Sequence, residues 1–169
     1  CHWVDSDGDE VVLNKTCISG DTRFDATAEA RIGDQLYCSL SDAFNNANNN
    51  DTIFLLLDVT GTATINISKS IVFEGNGHTV TRNWNGTLFN VSAAASVTFQ
   101  NTLFAKGSSA SNNNSYRTFY LQDYKNAKLT LKNCQSSDYN TLYVGYNDTV
   151  NIDGGTFSGT YLAYDNYGN

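Results

Sequence analysis

Apolar residues recur along most of this chain in short beats of period two. From Thr52 onward the beats are separated by turns rich in Gly, Asn, Asp and Ser, the pattern of short strands with tight connections. Sliding the sequence on itself aligns "SIVFEGNG", "SVTFQNTL", "KLTLKNCQ" and "TVNIDGGT". The apolar pairs Ile71 and Phe73, Val97 and Phe99, Leu129 and Leu131, and Val150 and Ile152 fall at the same two places. Two residues after each pair stands Gly75, Asn101, Asn133 or Gly154. A second beat in "GTLFNVS", "RTFYLQD", "NTLYVGY" and "GTYLAYD" supplies inward pairs Phe89 and Val91, Phe119 and Leu121, Leu142 and Val144, and Tyr161 and Ala163.

A repeat with constant strands and elastic connections is how a solenoid behaves, because an insertion bulges sideways without disturbing the stack. One strand pair cannot bury its apolar face alone, so each coil needs neighbours above and below. Gly and Asn at the corners fit too, since they adopt left-handed backbone at least cost. The expectation is an all-β chain wound as a parallel β-helix. A β-sandwich is the competing architecture, but its hairpins would want two-residue turns and mirrored alternation.

Ahead of the coils, "ARI" and "LYC" read as short strands around a Gly-Asp turn. Ser39 or Ser41 then caps a short helix with Leu40, Ala43, Phe44 and Ala47 on one side. The expected organisation is an N-terminal extension over 1–28 with a disulfide loop, then a β-helix domain over 29–169, its cap at 29–50 and its coils at 51–169. The stretches "YCSLSDA" (Tyr37 to Ala43), "NDTIFLL" (Asn50 to Leu56) and "IVFEGNG" (Ile71 to Gly77) resemble the cap and first coils of pectin-lyase-like domains. Such right-handed parallel β-helices are found in adhesin-like surface proteins of bacteria and archaea. The resemblance runs over about residues 29 to 165 and implies the fold; the same coils carry polysaccharide lyases, hydrolases and passive stalks, so it implies no single activity.

Charge narrows the partners. Lys and Arg total 10 against 17 Asp and Glu, a net charge of −7 that repels nucleic acid and anionic bilayers. No apolar run approaches the roughly 20 residues of a membrane-spanning helix, so membrane insertion is not expected. Seven Asn-x-Ser/Thr sequons, at Asn14, Asn50, Asn66, Asn85, Asn90, Asn113 and Asn147, are glycosylation candidates. Four cysteines, Cys1, Cys17, Cys38 and Cys134, are disulfide candidates, with Cys1 and Cys17 placed to close a small loop. Sequons and an even cysteine count point to a secreted, cell-surface setting. The absence of Met and the start at Cys1 suggest a processed chain.

Candidate chemistry is sparse. Zinc held by Cys1, His2, Cys17 and Cys38 would lack the usual paired C-x-x-C spacing. "DSDGDE" alternates Asp5, Asp7 and Asp9 as a calcium loop does, but its glycine comes early and Thr16 stands where a glutamate is needed. Outward positions Glu74, Gln100, Lys132 and Asp153 should form one column, with Glu74 and Asp153 about 14 Å apart, too far for a glycosidase pair. His78 reads as a surface histidine and Arg82 as the surface partner of Glu74, so neither a catalytic set nor a cofactor is expected. Nine of the ten tyrosines lie between 116 and 167. Tyr120 and Tyr143 should stack outward, with Tyr124, Tyr146 and Tyr164 in the turns after them. That makes a packing surface or a platform for sugar rings.

These readings converge on a non-catalytic extracellular structural or adhesin-type module. It would self-associate head to tail through its β-helix ends into a filament and offer a face to carbohydrate. A polysaccharide lyase or hydrolase is the alternative.

Overall fold

A computed structural model describes residues 28–158 in full, together with the backbone of strands Trp3–Val4, Glu10–Val11, Asp25–Ala26 and Tyr161–Asp165. The chain is a parallel β-solenoid of about 4 turns with one short helix among the described residues. The three strands before residue 28 form an antiparallel sheet of their own.

Each turn of the solenoid has three sides. The first side stacks Thr52–Leu55, Ile71–Glu74, Ser96–Gln100 and the opening halves of Lys128–Ser136 and Thr149–Phe157. The second stacks Val59–Gly61, Thr79–Arg82, Leu103–Lys106 and the closing halves of those two long strands. The third stacks Ile65–Ile67, Thr87–Val91, Arg117–Leu121, Asn140–Val144 and Tyr161–Asp165. Every rung pairs in parallel, so like positions repeat directly above one another: Ile71, Val97, Leu129 and Val150 share one column, and Phe73, Phe99, Leu131 and Ile152 another. On the third side the register aligns Leu142 with Ala163 and Asn140 with Tyr161. The sequence repeat sets Tyr161 beside Leu142, whereas the register sets Ala163 there, two residues farther along.

The core is aromatic at one end and aliphatic at the other. Phe44 from the helix, Phe73, Phe89, Phe99, Phe104 and Phe119 interlock, with Phe89 and Phe99 centroids 4.8 Å apart and Phe99 and Phe119 4.9 Å apart. Each such ring contributes roughly 1.5–3 kcal/mol by leaving water. Farther along, Leu129, Leu131 and Leu142 fill the interior. In the last described rung of the first side Val150 is half-buried and Ile152 is 40% exposed.

The near end is sealed. Ala30–Ile32 and Gln35–Tyr37 form a hairpin laid antiparallel on Thr52–Leu55. The helix Leu40–Asn46 buries Leu40, Ala43 and Phe44 against the first turn; Ser39 caps it, its hydroxyl accepting from the Asp42 N–H at 3.1 Å.

The corners show why Asn recurs. Among the described residues Asn50, Asn76, Asn101, Asn126, Asn133 and Asn147 all have positive φ, as does Tyr124. In the turn of Ile71–Glu74 the left-handed residues are Asn76 and Gly77, not Gly75. Gly75 answers a different need: a Cβ there would come within 2.7 Å of the Asn101 carbonyl and 2.8 Å of the Thr102 Cα in the rung above.

Candidate functional site

Glu74, Gln100, Lys132 and Asp153 do form one outward column, each in register with the next. Glu74 and Asp153 are three rungs apart, about 14 Å at the parallel-strand spacing. The Glu74 carboxylate is already engaged. It accepts from Gln100 Nε2 at 2.8 Å, from Asn101 Nδ2 at 3.0 Å to both oxygens, and from the Asn76 N–H at 2.9 Å. Asn133 Nδ2 donates in turn to Asn101 Oδ1 at 3.0 Å, so an amide ladder climbs the corner from Glu74.

Arg82 is not the surface partner of Glu74. Its side chain is fully buried and forks onto Asp138, with Nε to Oδ2 at 2.8 Å and Nη2 to Oδ1 at 2.7 Å. Thr118 donates its hydroxyl to Asp138 Oδ2 at 3.0 Å, and Arg82 Nη1 donates to the Trp84 carbonyl at 2.8 Å. The reason is periodicity: Val80 points in, Thr81 out, and Arg82 in again. His78 remains at the surface, Nδ1 3.4 Å from the exposed Asp58 carboxylate, which also accepts the Thr79 N–H.

Cys134 is a buried free thiol, which removes it from the disulfide candidates. It follows the left-handed Asn133, which turns the side chain into the core, and its thiol lies 3.4 Å from the Phe99 and Lys132 carbonyls. Burial pushes this thiol above its ordinary range, opposed by backbone hydrogen bonding at Thr102 and Lys132. Cys1 and Cys17 lie outside the described residues, as do His2, the Asp5, Asp7 and Asp9 turn, Thr16 and Asn14. No group of three or more His, Cys, Asp or Glu among the described residues is placed to hold a metal.

The tyrosines gather on the third side and its corner. Tyr120 and Tyr143 stack outward at 4.9 Å, and Tyr124 and Tyr146 do the same at the corner at 5.0 Å. The Arg117 guanidinium lies over both members of the first pair, 5.4 Å from Tyr120 and 4.9 Å from Tyr143. These three residues, with Thr87 and Ser115, line an open cavity of about 300 Å³. Packing leaves Tyr143 only 7% exposed, whereas Tyr124 and Tyr146 are 67% and 50% exposed. The exposed aromatic surface is thus at the corner. Burial, and then the neighbouring Asp123 carboxylate, raise the Tyr143 phenol. Tyr164 is not in a turn: it lies in Tyr161–Asp165, in register with Tyr143.

The sequons divide by position. Asn50 and Asn147 sit at exposed left-handed corners. Asn85 and Asn113 are exposed in loops, their Oδ1 atoms accepting from the Ser111 and Ser115 N–H groups at 2.8 Å each. Asn66 and Asn90 stack in register on the third side, with Asn90 Nδ2 donating to Asn66 Oδ1 at 2.7 Å. The sequence could have flagged this last pair, since each Asn lies between two inward residues of its strand.

No family model, curated protein or solved structure matches the chain. The likeness to pectin-lyase-like domains rests on the sequence stretches alone, and the parallel solenoid is the part of it that the structure bears out.

Proposed function

We propose that this chain is a non-catalytic, extracellular β-helix module of structural or adhesin type, related to pectin-lyase-like surface proteins. The observation that carries the reading is the use made of its outward columns. Glu74, the best-placed acid, spends both oxygens on holding Gln100, Asn101 and Asn76, while Tyr124 and Tyr146 stand exposed as a stacked pair. Two tyrosine faces beside Asp123 suit the CH groups and hydroxyls of a sugar chain.

Secretion goes with the sequons. A disulfide joining Cys38 to Cys1 or Cys17 would pin the N-terminal extension to the cap; this is supported by Cys38 being engaged where Cys134 is free. Head-to-tail assembly is supported by the half-covered Val150 and Ile152, which a further rung would bury.

A panel of neutral and acidic polysaccharides tests the reading, with binding and new reducing ends or unsaturated sugars followed together. Binding without cleavage, lost in Y146A and in Y124N, is expected; Asn tolerates the left-handed backbone at 124, so that variant removes the ring alone. Cleavage abolished by E74Q would instead establish the lyase or hydrolase alternative.

A further inference from the structure

The two stacked sequons are not equivalent. Asn66 lies in Ile65–Ile67, the edge strand of the third side, and Asn90 in Thr87–Val91, the rung above it. Asn90 is held between Asn66 on one side and Tyr120 on the other, all three in register. It is half-buried, its Oδ1 is buried, and its Nδ2 is committed to Asn66. Asn66 is exposed, has a strand neighbour on one side only, and takes part in the pair through Oδ1. Parallel rungs are about 4.8 Å apart, less than the width of a pyranose with its substituents, so adjacent rungs of one column cannot both carry glycans.

We propose that Asn66 is the N-glycosylation site of this column and that Asn90 stays bare. The donor is a lipid-linked oligosaccharyl diphosphate. The Asn66 Nδ2 forms a bond to the anomeric carbon as the bond from that carbon to the diphosphate oxygen breaks. The lipid diphosphate leaves with the electron pair, and one amide proton passes to solvent. Attachment through Nδ2 leaves Oδ1 in place to accept from Asn90, so the stacked pair survives modification at Asn66. The same attachment at Asn90 would replace a hydrogen of the donating amide and push a sugar between Asn66 and Tyr120.

The inference rests on the extracellular reading, and one experiment separates the two. Native protein, and protein from a eukaryotic secretory host, are deglycosylated enzymatically in heavy-oxygen water and mapped by peptide mass spectrometry. Asn66 is expected to carry the label and Asn90 none. S68A should lose the mass of one glycan, while S92A keeps its glycan number. A labelled Asn90, loss of a glycan in S92A, or a bare Asn66 beside labelled Asn85 or Asn113 overturns the inference alone. Native protein without glycan at any sequon overturns it together with the extracellular glycoprotein reading.

Discussion

Two carboxylates, Asp138 and Glu74, each tie three successive turns of the solenoid together, one inside the stack and one at its corner. Asp138 gathers Arg82 and Thr118 with both charges fully buried. Glu74 gathers Gln100 and Asn101, and Asn133 through Asn101, at a half-exposed surface. Bond counts and lengths are similar, so the difference lies in what water would do if a partner were lost. At the corner water replaces a missing donor, and a bond is worth only about 0.5–1.5 kcal/mol net. Inside, the charge left behind has nowhere to go.

The largest effect should therefore come from D138A. It leaves the Arg82 guanidinium buried without its carboxylate and should cost about 3–5 kcal/mol, read as a lowered midpoint in urea unfolding. If burial of an unpaired charge is the cause, removing both charges should cost far less. R82M combined with D138L is expected to recover most of the loss, although Trp84 and Thr118 forfeit a partner each. A double variant as unstable as D138A would mean that the pair stabilises by attraction, and the contrast with Glu74 would fail.

The inside and outside of this stack were unequally legible. Ile71 with Phe73 and Val97 with Phe99 declare the rungs because two apolar positions repeat at fixed spacing, and a parallel stack puts like on like. The corner Asn residues are readable as well, since left-handed backbone selects them. Arg82 was misread as surface because charge outweighed phase, although the alternation through Val80 put it inside. Asp138 could not be paired with it from sequence, because 56 residues separate them and only the winding brings them together. Cys134 was misread for a related reason: the corner at Asn133 resets the alternation that Leu129 and Leu131 establish. The tyrosine stacks were foreseen as columns, but which rings remain exposed depends on the Arg117 side chain, whose position no periodicity encodes.

Outside, the expected losses are smaller and separable. N101A removes the central amide of the ladder and places alanine at φ 51°, which should cost about 1–2 kcal/mol in the same assay. N101G removes the amide but relieves the backbone, and should fall between N101A and the parent. Equal losses in the two variants would assign the whole effect to the ladder. E74Q keeps one acceptor oxygen and should cost about 0.5–1 kcal/mol.

The smallest effect tests a carboxylate that lies between the two extremes. Asp148 is half-buried, accepts the Ala127 N–H at 2.8 Å through Oδ1, and has no cation among the partners described for it. Burial raises its carboxyl above the ordinary range; the Ala127 N–H opposes this and the Asp123 carboxylate adds to it. A raised acid in the folded state keeps a proton that the unfolded chain has already released. Its protonated form therefore favours folding at low pH, and that contribution falls as pH rises from the unfolded value, about 3.9, through the raised folded one. D148N retains an Oδ1 acceptor and cannot ionise, so it should escape the fall. The Tm of D148N minus that of the parent is expected to rise with pH across that interval and stay level above it. A difference independent of pH would show that burial does not hold a proton on Asp148 in the folded chain.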